Sequence, residues 1–149
     1  TENVAAIAGF GLAAELARAE LDREAERLEA LRDEAQALIR RIAPDAVVMA
    51  GEALRLPNTL AFAIPGLKAE TALIAFDLEG IALSSGSACS SGKVRRSHVL
   101  DAMGVDPQLA EGVLRVSLGW KTTKEDVIRL AEACERVVNT LYKRRASAA

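Results

Sequence analysis

The sequence has 149 residues, half of them hydrophobic, with 3% aromatics and a formal net charge of −2. That size and apolar fraction fit a single domain with an aliphatic core and exclude a wholly disordered chain. Basic and acidic residues are well mixed and no apolar run reaches membrane-spanning length, so neither a nucleic-acid footprint nor a membrane span is expected.

Two cysteines, Cys89 and Cys134, and the single histidine His98 predict no disulfide framework and no metal site, and fit a reduced, cytoplasmic setting. No leader pattern is expected in the opening residues.

Residues 4–43 are expected to form one long helix. From Leu21 onward, Leu21, Ala25, Leu28, Ala35, Leu38, Ile39 and Ile42 fall on one stripe. Glu20/Arg23, Glu24/Arg27 and Glu29/Arg32 pair at i,i+3 on the other face. Pro44 ends the helix. Residues 47–50 and 59–64 are expected strands. In the second, Leu60, Phe62 and Ile64 share one face while Ala61 and Ala63 share the other. Pro65-Gly66 reads as a turn, 68–79 as a helix stopped by Gly80, and 81–83 as a brief strand. Two short helices follow, over 97–104 with Ser97 as N-cap and over 106–112 with Pro107 in its first turn. Residues 114–118 alternate, with Leu114, Val116 and Leu118 inward and Arg115 and Ser117 outward. A capping box, Thr122-x-x-Glu125, is expected to open the last helix. That helix carries the stripe Val127, Leu130, Ala131, Cys134, Val137, Val138 and Leu141.

The expected fold is a mixed α/β (α+β) domain of three or four short strands with helices covering one face. Its long first helix is oversized for so small a sheet and calls for a neighbour outside it.

Chemistry concentrates in the loop Ser84-Ser85-Gly86-Ser87-Ala88-Cys89-Ser90-Ser91-Gly92. Glycines and small side chains predict a segment that buries little and moves easily. Its cysteine is then accessible, and Lys93, Arg95, Arg96 and His98 just downstream favour the thiolate. The alternatives are a sulfur nucleophile that travels between donor and acceptor, or an incidental exposed thiol. Cys134, inside an apolar stripe, reads as a small core residue. Arg115 is a guanidinium on a strand that is otherwise apolar; it either grips a carboxylate through two parallel hydrogen bonds or forms a surface ion pair. His98 is either a proton shuttle for Cys89 or a structural helix-start residue. No G-x-S-x-G elbow is present, because Cys89-Ser90 follows Gly86-Ser87-Ala88 where a second glycine would be needed.

The loop Ser84-Ser85-Gly86-Ser87-Ala88-Cys89-Ser90-Ser91 resembles the active-site cysteine loop of group I cysteine desulfurases. These are pyridoxal-phosphate enzymes of the class V aminotransferase fold. Ser97-His98-Val99-Leu100-Asp101-Ala102-Met103-Gly104 is similar to the helix after that loop. Leu114-Arg115-Val116-Ser117-Leu118-Gly119 resembles the family's substrate-binding strand, and Leu56-Pro57-Asn58-Thr59-Leu60 the strand that opens its small domain. Thr1-Glu2-Asn3 resembles the end of a Gly-Thr-Glu-Asn segment.

The resemblance implies that Cys89 receives sulfur from L-cysteine as a persulfide while alanine is released, that Arg115 binds the substrate carboxylate, and that Thr1 reaches the cofactor phosphate of a neighbouring subunit. It also implies a homodimer and an iron–sulfur scaffold or other protein as sulfur acceptor. The family's cofactor lysine lies in a Ser-x-His-Lys-like segment, and none exists here: the lysines are at 68, 93, 121, 124 and 143. The chain therefore resembles the C-terminal portion of such an enzyme. Residues 1–45 would be a helix leading to an absent large domain, and 46–149 a small α/β domain. A chain of this kind is inactive alone. The alternative is a stand-alone persulfide carrier without cofactor.

Overall fold

The computed structural model describes residues 2–86 and 97–146. Its first element, α1 (Val4–Ile42), runs 39 residues and is capped by Asn3, whose side chain accepts from the Ala6 N–H at 3.1 Å. At 1.5 Å per residue it is about 58 Å long. Ala43 turns extended ahead of Pro44 and ends it. Strands β1 (Val47–Val48), β2 (Thr59–Ala63), β3 (Ser84–Ser85) and β4 (Leu114–Ser117) form one antiparallel sheet in the order β1-β2-β4-β3. Between them lie α2 (Ala69–Leu78), α3 (His98–Ala102) and α4 (Pro107–Ala110), and α5 (Lys124–Ala146) closes the chain.

The alternation read from the sequence fixes which face is which. Leu60, Phe62, Leu114 and Val116 pack with Ala35 and Ile39 of α1, Ala72 and Phe76 of α2, and Val127, Cys134 and Val137 of α5 in one core. A smaller cluster, Met49, Ala63, Leu100 and Val113, lies on the opposite side of the sheet, with Ala61 against it. The short helices thus add a partial second cover beyond the one-sided arrangement expected. Burying the large aliphatic and aromatic side chains supplies the main driving force, about 1.5–3 kcal/mol each.

Two expected elements shift, each for a local reason. The strand expected at 81–83 forms at Ser84–Ser85 instead. Ile81 is used to close α2: Gly80 sits at φ +76°, its N–H donates to the Asp77 carbonyl, and the Ile81 N–H donates to the Phe76 carbonyl at 2.9 Å. That is a Schellman closure, which takes the residues just after the helix out of the ladder. The capping box is Thr123-x-x-Asp126, one residue beyond Thr122-x-x-Glu125. Thr123 Oγ1 accepts from the Asp126 N–H at 3.3 Å, and Asp126 Oδ2 accepts from the Thr123 N–H at 3.0 Å. Thr122 is unavailable because its hydroxyl accepts from the Gly119 N–H at 2.9 Å. The Thr123 hydrogen bonds hold the Asp126 carboxyl below its ordinary range.

Glycine is obligatory at one contact. A Cβ on Gly112 would collide with the Leu67 carbonyl oxygen, where the chain passes close enough for the Ala69 N–H to reach Glu111 O at 3.0 Å. The helix α1 is tied to the β4–α5 connection by Arg27, which donates to the carbonyls of Thr122 (2.7 Å), Trp120 (3.1 Å) and Gly119 (3.2 Å) while pairing with Glu24.

Candidate functional site

Arg115 lies in mid-β4, on the face opposite the main core. Its register partners are Ala61 on β2 and Ser84 on β3. Both are small, so the guanidinium stands exposed between them, as the alternation predicts. It lines a cavity of about 340 Å³. Met49, Leu56, Val99, Leu100, Met103 and Val113 form the apolar part of its wall.

Gly86 and Ser97 line the same cavity. They also lie close together: a Cβ placed on Gly86 would be 3.4 Å from Ser97 Cβ. Gly86 follows β3 directly. Ser97 caps α3, its hydroxyl accepting from the Leu100 N–H at 3.4 Å. A Schellman closure at Gly104 (φ +69°), with the Val105 N–H on Leu100 O at 3.0 Å, ends that helix. The chain thus leaves and re-enters the described structure at one point on the cavity rim.

Cys89 lies outside the described residues, as does Thr1, and so does most of the loop expected to be mobile. By sequence, residues 87–96 hold Lys93, Arg95 and Arg96 and no acid. His98 opens α3 and is exposed; its neighbours Ser97 and Val99 line the cavity, and it does not. Cys134 is fully buried, as expected of a core residue, and burial pushes its thiol up to about 11. Among the described residues no three His, Cys, Asp or Glu side chains group as metal ligands, and no helix is long and apolar enough to cross a membrane.

Sequence reading missed Arg55, a second arginine lining the cavity. Its loop is irregular, so no periodicity singles it out. Its Nη2 donates to Gln36 Oε1 on α1 at 2.9 Å. One turn earlier, Arg32 donates to the Leu56 carbonyl at 2.9 Å and pairs with Glu29 and Asp33. Burial alone would lower the Arg32 pKa, and the bonds to Asp33 and Glu29 outweigh it and raise it. The sequence placed Arg32 with Glu29 on the exposed face; the structure instead buries it, four residues past Leu28 and three before Ala35 on the side of α1 that meets the core.

Pyridoxal phosphate, the cofactor that the resemblance implies, needs an amine for its aldehyde and a flat neighbour for its ring. No lysine and no aromatic residue stands among the described residues lining this cavity. The cavity alone does not fit that cofactor.

Comparison with known proteins places the chain. The aminotransferase class V family matches residues 1–130, and the chain belongs to that family. It is 43% identical over 141 residues to the cysteine desulfurase IscS of Dictyoglomus turgidum, covering 95% of this chain and 36% of that protein. It is 40% identical over 141 residues to the cysteine desulfurase NifS of Azotobacter vinelandii, covering 95% and 35%. The crystal structure of a NifS-like protein from Rickettsia africae superposes with a TM-score of 0.81 at 34% identity, over 93% of this chain and 36% of that one. The chain thus spans little more than a third of the length of these relatives.

Proposed function

We propose that this chain is the sulfur-accepting portion of a cysteine desulfurase. Residues 46–149 form its small domain and residues 1–45 the helix leading to the remainder. In the whole enzyme, L-cysteine and the Cys89 thiol give L-alanine and a Cys89 persulfide, one sulfur atom passing between them. Arg115 holds the substrate carboxylate through two parallel hydrogen bonds, which orients the sulfur towards the incoming thiolate. The amine-bearing cofactor site belongs to the part of the enzyme outside this chain, with Thr1 reaching the cofactor phosphate of a neighbouring subunit in a homodimer. The persulfide passes to an iron–sulfur scaffold or another acceptor protein.

One observation carries this reading. Arg115 and both ends of the cysteine segment, Gly86 and Ser97, line the same cavity. Cys89 is three residues from Gly86 in the sequence.

The test is a chimera in which this chain replaces the matching third of the Dictyoglomus turgidum enzyme. The chimera is expected to release L-alanine from L-cysteine and to gain the mass of one sulfur atom on Cys89. Cys89→Ala abolishes both. Arg115→Ala lowers kcat/KM on the order of 100-fold, the usual effect of losing a charge-assisted pair. A folded, cofactor-loaded chimera whose alanine release is indifferent to Cys89 overturns the reading. The 149-residue chain alone, given pyridoxal phosphate and L-cysteine, is expected to release no alanine.

A further inference from the structure

We infer that Arg55 is a second anion anchor in the Arg115 cavity, so that this pocket selects a small organic acid by two guanidinium groups rather than one. The inference rests on the reading of that cavity as the seat of the substrate carboxylate.

Charge balance comes first. Among the described residues lining the cavity, Arg55 and Arg115 are the charged ones, with no aspartate or glutamate beside them. The rest of that wall is apolar or carries only the hydroxyls of Thr59 and Ser97. A concave, largely apolar surface with two cations and no internal counter-charge concentrates positive potential, and an anion from outside is its natural complement.

Geometry narrows the role. Arg55 is half-buried and does not swing freely, because Nη2 is held by Gln36. Its Nη1 is shut off from solvent and has no hydrogen-bond partner among the described residues. An unmet buried donor is unfavourable, and an anion oxygen that reached it would satisfy it. The loop beneath it is fixed as well, by Arg32 on the Leu56 carbonyl and by the Met49 N–H on Ala61 O at 2.8 Å. Ala50, in that loop, is held at φ +51°, a conformation that persists only where the surroundings impose it. Arg115 is presented by a strand and Arg55 by a pinned loop, so the pair is preorganised.

Size sets the ligand class. A volume of about 340 Å³ equals roughly ten waters at about 30 Å³ each. It admits an amino acid of a few carbons, and the Met49, Val99 and Met103 side favours a short, weakly polar side chain.

Amide chemical shifts of the 149-residue chain, titrated under reducing conditions with L-cysteine, L-alanine and L-alanine methyl ester, test this. Both acids are expected to give saturable shifts at Thr59, Ala61 and Val113, and the ester, which lacks the carboxylate, none. Arg55→Gln is expected to weaken both acids about tenfold or more, with Arg55→Lys recovering part of the loss. Unchanged amide dispersion elsewhere reports that the fold is intact, and the comparison of acid with ester on the unaltered chain needs no variant. If Arg55→Gln binds as the unaltered chain does while Arg115→Gln does not, the second anchor is wrong and the Arg115 reading stands. If the reverse holds, Arg55 stands and the carboxylate role of Arg115 falls. Ester binding equal to acid binding, or no saturable shift with either acid, overturns both.

Discussion

The two cysteines show how little residue type alone decides. Cys134 is held among Val127, Leu130 and Val137, and its raised pKa keeps it a neutral thiol. A thiol reagent is expected to modify Cys134 only at the rate at which α5 opens, measured by mass spectrometry in native buffer against urea. The linkage has a definite sign. The unfolded thiol releases its proton from about pH 8.5, while the folded one retains it to about 11. Stability therefore falls as pH rises across that window, and the Cys134→Ala variant shows a flatter profile over the same range. At Gly112, the alanine variant is expected to lose about 2 kcal/mol in urea unfolding, because the added methyl meets backbone rather than a side chain that could move aside. The sequence disclosed Cys134 and Arg115 through periodicity, since each sits in a regular element. It could not disclose Gly112 or Arg55, whose importance comes from Leu67 and Gln36, residues brought near them only by the fold.

At the scale of elements, local rules predicted the existence and type of every helix and most strands, and missed where two neighbouring signals competed. Thr122 and Thr123 both suit an N-cap. Only the folded turn, in which Thr122 closes onto Gly119, leaves the cap to Thr123. Thr123→Ala is accordingly expected to destabilise α5 by about 1 kcal/mol and Thr122→Ala to act through the Gly119 turn instead, a difference that hydrogen exchange in residues 124–127 against 119–122 would separate. The long helix also has two characters. Its C-terminal half buries Ala35 and Ile39 and carries Arg32 onto the Leu56 carbonyl, whereas residues 2–23 are exposed throughout. Arg32→Leu would suit the stripe but would leave that carbonyl unpaired; a loss of about 1–2 kcal/mol in the urea midpoint is expected.

For the whole molecule, the notable fact is proportion. Ile7, Phe10 and Leu21 are 61, 77 and 64% exposed, yet lie on the continuation of the stripe that Leu28, Ala35 and Ile39 complete against the core. Trimming residues 1–20 is expected to change the unfolding free energy by less than about 0.5 kcal/mol, because that segment packs on nothing described here. The resemblance to class V aminotransferases was legible over nearly the whole sequence because its motifs lie in contiguous segments, and the family match bears it out. The cavity was not legible, since it is assembled from β2, β4, α3 and the 49–57 loop, and no single stretch contains it.

The closeness of Gly86 to Ser97 has a bearing on how such a chain can be rebuilt. Because the two posts are neighbours, a flexible segment spliced between them closes at little extra cost: doubling its length adds only about 0.6 kcal/mol in closure entropy. Segments of other lengths and compositions could be spliced between these posts with the sheet and α3 left as they are. Under the sulfur-transfer function proposed for Cys89, the length of such a splice becomes an independent variable, much as a tether is cut to fit.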